Sequence, residues 1–586
     1  MPLIVPRCPS GSPSLRLSLV VLSIGVASHF LLYLDSVVDN LLPAALPFFL
    51  SVYKKKEDAE LAWELMVSAR IYGLAVGCFL AIIISMKSGR KFPVILDCDC
   101  GKLSVKNYIA IKRGGLKEIL SKMYLGTILD VIGVLFTLLT VYIPAGVAAA
   151  ILGRFINGIG QGIVQTAGSV MLAELPPLRK RGTALASLTM WACVGELAGM
   201  LISVEGFLGN TAHWHWAMGV PLFLLVPALI ILIRAPESPR YLYLNNKESE
   251  ARKAMLYYQN ITDAKLSTEE ILNELVELRD SCDENHNGKK NVKKPTNLTE
   301  LVTDRMRDGQ FVRPLLIALF VQSFVHLDDW LWISYSTQIF ENSGLQAAPA
   351  QIASLLMALP QAGISIALLF CFHHFSRRSL LIVPTVVSSI IGSIAIVGSH
   401  YRNILGFSIM SALPVLASLD LVVAAISGES AYAIVPELFL PDDIILGTAA
   451  VGIAQNIFGG ILTNFLLTAL NSAGTAKVLV PFVLMNIVYA IVNYKYVPET
   501  ADKTPQEVAR NFSKEPPGIS FFSTLQQVHF SFLSKPARIF SLSSIIGIAS
   551  FCAQVFFCFV LLNIALDFAQ ITRTRCNAAR LWKRLE

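Results

Sequence analysis

Charge is scarce in this chain. Asp, Glu, Lys and Arg make up 15% of its 586 residues, well short of the roughly 25% typical of soluble globular domains, so a water-dissolved fold is the wrong starting point. A disulfide framework is also missing. The ten cysteines are scattered, mostly inside apolar runs (Cys78, Cys193, Cys371, Cys552, Cys558), unlike the even, spaced cysteines of small secreted modules. Cys98 and Cys100 form a lone CxC, too little for a zinc site. The N-terminus lacks a short apolar core followed by a small-residue cleavage site, so the first apolar run is expected to be retained. Neither a nucleophile and base pairing nor an HExxH pattern occurs, so no enzyme, metal or cofactor is expected. The net charge of +7 fits basic loops at a membrane face better than a nucleic-acid partner, and none is expected.

What is present is length of apolar run. Hydrophobic residues are 54% of the chain and mean hydropathy is +0.58. Crossing a bilayer core takes about 20 apolar residues in a helix, and runs of that kind stand at 17–34, 125–143, 145–173, 218–233, 380–398, 446–470 and 478–492. Basic residues concentrate in 87–122, at Arg179–Arg181, in 240–313 and at Arg377 and Arg378, while 143–146, 205–215 and 341–351 contain none. The positive-inside rule places the first group, and the N-terminus, in the cytoplasm. Six spans then precede the long central loop and six follow it. Lys54 to Lys56 on the outside is partly offset by Glu57, Asp58 and Glu60.

The halves repeat motifs in one order, the internal symmetry of transporters. AELPPLRKRG is echoed by PELFLPDDIILG, with Glu174 and Glu437 437 − 174 = 263 residues apart; APESPRYL is echoed by VPETADKT, with Glu237 and Glu499 499 − 237 = 262 apart. SGRK and FSRR, however, set Arg90 and Arg377 377 − 90 = 287 apart, a surplus of 287 − 263 = 24 that points to an insertion in the first half. The expected organisation is an N-terminal six-helix bundle (1–235) with a cytoplasmic insertion near 93–122. A cytoplasmic loop of amphipathic helices (236–312) follows, carrying KESEARKAMLYY and STEEILNELVELRD. A C-terminal six-helix bundle (313–497) and a tail (498–586) complete the chain. The apolar run 539–569 is long enough for a thirteenth span, but the basic RTRCNAARLWKR behind it would then lie outside. The sequons at Asn260, Asn297 and Asn511 all fall on the cytoplasmic side of this topology.

The ordered motifs GRK, GRFINGIGQG with AELPPLRKRG, PESPRYL, SRR, PELF and VPET resemble those of the sugar-transporter branch of the major facilitator superfamily, over roughly 17–508. The resemblance implies an all-α membrane protein of two six-helix bundles, a multi-pass protein of the plasma membrane, rocking about a central substrate site. It also implies a cytoplasmic charge network of Arg90, Glu174, Arg181, Glu237, Arg240, Arg377, Glu437 and Glu499. Independently of family, Gly158, Gly160 and Gly162 in GRFINGIGQG let a neighbouring helix approach closely. There are departures: Met86 and His373 stand where the family has an acid, Ser376 replaces glycine, and the arginine after Glu437 is missing.

YLDSVVDN resembles the family's GYD segment, putting Asp35 in the acid position of proton-coupled members, near the helix 4 arginine, here Arg154. A buried acid needs a partner, and a proton-coupling pair and a structural ion pair of a uniporter remain alternative readings. The sugar-binding positions that the resemblance implies read Thr189, His326, Trp330, Tyr432 and Asn456, of which only Asn456 matches. More ionisable side chains take their place: Glu196, then His326, Asp328 and Asp329 in FVQSFVHLDDWLWISYS, then Asp420 and Glu429. The 14 residues of 314–327 reach only about 21 Å, so that span must continue past the aspartates. On one helix His326, Asp329 and Trp330 share a face and Asp328 and Trp332 a neighbouring one, so at least one acid is expected in the cavity. The expected partners are a small polar solute (hexose, polyol or related), the lipid bilayer and, where transport is coupled, protons. A charged organic solute, or a non-transporting sensor, is the alternative.

Overall fold

The computed structural model of the protein describes residues 15–88, 118–236, 248–259, 308–400 and 412–501, except 144, 176, 177 and a few others, together with isolated residues adjoining these segments. The expectations for the bulk of the insertion, most of the central loop, the three sequons, the run 539–569 and Arg90, Glu237 and Arg240 lie outside them, as does the side chain of Glu174.

Among the described residues the chain is helical without a strand. Twelve segments are long and apolar enough to cross a membrane. Spans 1–6 are Leu15–Tyr53, Leu61–Ile84, Met123–Tyr142, Gly146–Ala173, Arg181–Ile202 and Trp214–Arg234; spans 7–12 are Gly309–Asn342, Ala348–His374, Arg377–Ser399, Leu413–Glu437, Ile444–Thr463 and Thr475–Tyr496. Helices serve because each closes its own backbone hydrogen bonds where lipid offers none. The helix Glu118–Leu138 begins inside the stretch assigned to the insertion, so 118–122 are its first turn instead. In the central stretch KESEARKAMLYY does form a helix, Glu248–Gln259, whose Ala251, Ala254, Met255 and Tyr258 are buried at helical spacing, with Arg16 over the Tyr257 ring at 5.0 Å.

Besides span 6, which breaks at Val220 and Pro221 between the helices Trp214–Gly219 and Leu222–Arg234, two spans are broken in mid-course. Span 1 is the helix Leu15–Ser28, a tight turn Phe30–Leu32 and the helix Tyr33–Tyr53. Span 7 is the helix Gly309–Phe324, a break at His326 and the helix Leu327–Asn342, with a further kink at Tyr335 (φ −143°, ψ 23°). A single continuous helix through FVQSFVHLDDWLWISYS is thus corrected to two. In both spans carboxylates open the second helix, Asp35 in span 1 and Asp328 and Asp329 in span 7, where unpaired N–H groups and the helix dipole favour negative charge. The apolar run that ends near Leu34 therefore continues as helix to Tyr53.

Within the first half, span 4 packs on spans 2 and 3. Gly158 and Gly162 abut Gly73 and Gly77, where an added Cβ on Gly158 would stand 2.9 Å from the Gly73 Cα; Gly160 faces span 3 instead, where an added Cβ would stand 2.6 Å from Asp130 Oδ1. The halves meet where span 5 packs on spans 8 and 10, span 2 on span 11, and span 1 on span 7.

Candidate functional site

A cavity of about 170 Å³ lies between the halves, lined from both. Its wall runs from Gln165, Cys193 and Asn456 at mid-depth to Trp63, Gln338 and Glu341 near the end opposite the chain's basic face. Towards the basic end, Cys78 and Ile82 of span 2 pack on Ala449 and Ile453 of span 11 and close the passage.

Asp35 sits in the wall, 21% exposed, in contact with two buried arginines. Arg70 of span 2 is ion-paired with it, and Arg154 Nη2 of span 4 lies 3.4 Å away. Arg70 is held in place by three further acceptors: Asn157 Oδ1 at 3.0 Å, the Leu31 carbonyl at 2.6 Å and Gln161 Oε1 at 2.5 Å. Arg154 donates to the Leu34 carbonyl at 2.9 Å. Asn157 Nδ2 donates to Asp130 Oδ1 at 3.2 Å, so two arginines and two aspartates form one balanced buried group. The sequence pointed to Asp35 and Arg154 but not to Arg70, which stands outside every motif. Asn157 and Gln161 lie inside GRFINGIGQG, three and seven residues from Arg154 and so on its helix face.

In span 7, His326, Asp329 and Trp330 line the cavity. His326 Nδ1 and Asp329 Oδ2 are 3.0 Å apart. Asp328 is turned away, about 100° round the helix. It accepts from Ser388 Oγ at 2.9 Å and from Asn486 Nδ2 at 3.0 and 3.1 Å, between spans 9 and 12. This substrate-binding candidate therefore does not line the cavity between the halves. Trp332, on the same side, donates to Asp420 at 3.0 Å, which keeps Asp420 off the wall; Glu429 is buried and does not line the cavity either.

Thr189, Glu196, Tyr432 and Asn456 all reach the wall. Gln361 of span 8 donates from Nε2 to Glu196 Oε2 at 3.3 Å across the two halves. Tyr432 stands between two histidines: the His29 ring meets it edge-on at 4.9 Å and the His326 ring at 5.5 Å. His29, at the break of span 1, is a buried wall residue that no sequence motif singles out. Its only advance signal is a polar ring inside an apolar run. Nearer the open end, Asp39 Oδ2 of span 1 accepts from Ser336 Oγ and Thr337 Oγ1 of span 7, both at 3.0 Å, and Asn40 Oδ1 accepts from Thr337 Oγ1 at 2.7 Å.

At the basic end, Arg377 of span 9 is ion-paired with Glu437 of span 10, and its guanidinium covers Gly182 at the start of span 5, where an added Cβ would lie 2.9 Å from Cζ. Arg181 precedes that glycine and opens span 5. Glu499 accepts from the backbone N–H of Arg377 and Arg378, each at 3.2 Å, and from Ser376 Oγ. It thereby caps the N-terminus of span 9. Burial works against the Glu499 charge, but these bonds and the Ala501 N–H outweigh it and hold the carboxyl below its ordinary range. Arg305 and Asp443 add an ion pair at 2.9 Å that no motif announced.

Residues 107–512 match the family described as "Sugar (and other) transporter". The galactose-proton symporter of Escherichia coli strain K12 is 22% identical over 483 residues, 81% of this chain and 90% of that protein. The facilitated glucose transporter member 4 of solute carrier family 2 from Homo sapiens is 24% identical over 468 residues, covering 78% and 80%. Among solved structures, the proton:xylose symporter XylE bound to 6-bromo-6-deoxy-D-glucose superposes with a TM-score of 0.64 at 17% identity, over 85% of this chain and 99% of that one. At that identity the likeness speaks to the fold: the two-bundle arrangement of the major facilitator superfamily.

Proposed function

The chain belongs to the Sugar (and other) transporter family, and from that premise we propose that it carries a hexose-class solute across a membrane by alternating access, coupled to protons. The observation that supports this most directly is a cavity lined by both halves, closed at the basic end, with a partly exposed carboxylate in its wall that touches two buried arginines. Protonating Asp35 removes the negative partner of Arg70 and Arg154. That unbalances the buried group and changes the relative free energies of the two tilts of the bundles, which is what a coupling ion must do. The symporters of galactose and xylose among the similar proteins support the same reading. The basic end would be cytoplasmic and the membrane the plasma membrane; sugar attached at Asn260, Asn297 or Asn511 would reverse that orientation.

The test is uptake of labelled hexoses into liposomes containing the purified protein, with and without an inward proton gradient. Concentrative uptake driven by the gradient, and its loss in Asp35→Asn, is the expected result. Flux indifferent to both would leave a uniporter, and no flux of any hexose would end the transport reading.

A further inference from the structure

The charge balance of the cavity wall is not that of a site made for a neutral sugar alone. Carboxylates reach it from spans 1, 2, 5 and 7, as Asp35, Asp39, Glu64, Glu196, Asp329 and Glu341, while among the described residues no lysine or arginine lines it. Asp35 is paired with Arg70 and Arg154, Asp329 lies against His326, and Asp39 accepts from the hydroxyls of Ser336 and Thr337. Glu196 has a single hydrogen bond and no cation beside it. It is 7% exposed, and that hydrogen bond comes from the neutral Gln361 amide. A buried carboxylate without a cation is costly, so its natural partner is one that arrives.

A second observation points to the same place. Gln361 Oε1, Thr189 Oγ1 and His29 Nε2 belong to wall residues at most 4% exposed, and none of the three atoms has a hydrogen-bond partner. Thr189 lies two helical turns from Glu196 on the same side of span 5, and Gln361 touches Glu196 from span 8. An amide oxygen and a carboxylate thus meet in the cavity wall, with a hydroxyl about 10 Å along span 5 in the same wall. Resting on the transport reading above, we propose that the solute is a hexose-sized polyhydroxyl compound bearing a protonated amine, an amino sugar. Its ammonium sits on the Glu196 carboxylate and its hydroxyls meet Gln361, Thr189 and His29. Leaving a buried charge unpaired is what discriminates against an analogue lacking the amine.

The experiment compares uptake of labelled 2-amino-2-deoxyglucose and labelled glucose by the protein in liposomes at about pH 6, where an amine of this kind is charged. Both uptakes are also competed with N-acetylglucosamine, whose nitrogen is neutral. The expected result is that the amino sugar is taken up at ~10-fold lower concentration than glucose or better, that acetylation removes the advantage, and that Glu196→Gln brings the amino sugar to glucose ratio close to one. Equal handling of glucose and the amino sugar by the wild-type protein would overturn the proposal and leave the transport reading standing. An advantage that survives in Glu196→Gln would also overturn it. Uptake of neither sugar would sink both, and the wild-type comparison decides the matter even where the variant folds poorly.

Discussion

Arg70 offers the sharpest test of the buried charge group. It is fully buried and donates to Asn157, the Leu31 carbonyl and Gln161 in addition to its ion pair with Asp35, whereas Arg154 gives one hydrogen bond at 2.9 Å and stands 3.4 Å from the same acid. In Arg70→Met three neutral acceptors lose a donor and Asp35 and Asp130 are left with one arginine between them. Removing one member of a buried pair costs about 3–5 kcal/mol. Arg154→Met strips one carbonyl and a long ion pair, and should cost about 1.5–3 kcal/mol, the range for single bonds to charged groups. The double variant Arg70→Met with Asp35→Asn restores the balance, since Arg154 and Asp130 then remain as one charge of each sign. Its cost should fall short of the sum of the two single changes by about 1–3 kcal/mol. Thermal unfolding of the purified wild-type protein and these variants in one detergent, followed by tryptophan fluorescence, supplies the ranking. Strict additivity in the double variant would refute the account of these four side chains as a single balanced unit, and equal losses for the two arginine variants would refute the ranking drawn from their hydrogen bonds.

The remaining expectations are narrower. Asp328→Asn should leave uptake largely intact and lower stability by about 1 kcal/mol, the scale of one hydrogen bond in its contacts with Ser388 and Asn486. Asp329→Asn should impair uptake at unchanged expression, and the reverse pattern in a parallel transport and stability assay would exchange their roles. Gly182→Val should displace the Arg377 guanidinium and, like Arg377→Ala, increase labelling of Cys78 by a membrane-impermeant thiol reagent added from the basic face; labelling like that of the wild type would show that this contact does not hold the end shut. Because the folded-state pKa of Glu499 is depressed, its contribution to stability is present above the ordinary glutamate range near 4.5 and is lost as pH falls through the lower native value. Glu499→Gln should therefore flatten the acid limb of the stability profile, measured as melting temperature against pH, and an unchanged limb would argue against the cap on span 9.

Twelve spans, their grouping in sixes and the clustering of charged motifs at one end follow from the sequence, because lipid requires long apolar helices and the motif offsets of 262 and 263 expose the repeat. Asp35 and Arg154 were also legible, through the resemblance of YLDSVVDN and GRFINGIGQG to the segments that carry the family's helix 1 acid and helix 4 arginine. Arg70 was not. Nothing local marks a lone arginine in span 2 as the principal partner of an acid 35 residues earlier.

The tertiary structure alone decided which of the adjacent acids in span 7 faces the cavity. Neighbouring positions on a helix point about 100° apart, and the direction depends on a break at His326 and on spans 9 and 12 supplying Ser388 and Asn486. The same holds for Glu196 and Gln361, 165 residues apart and in opposite halves, and for His29 and His326 on either side of Tyr432. Hydropathy and repeats set where the chain crosses and which residues lie at each depth. How each helix is turned, and so what an acid meets, is set by packing between segments far apart in the chain.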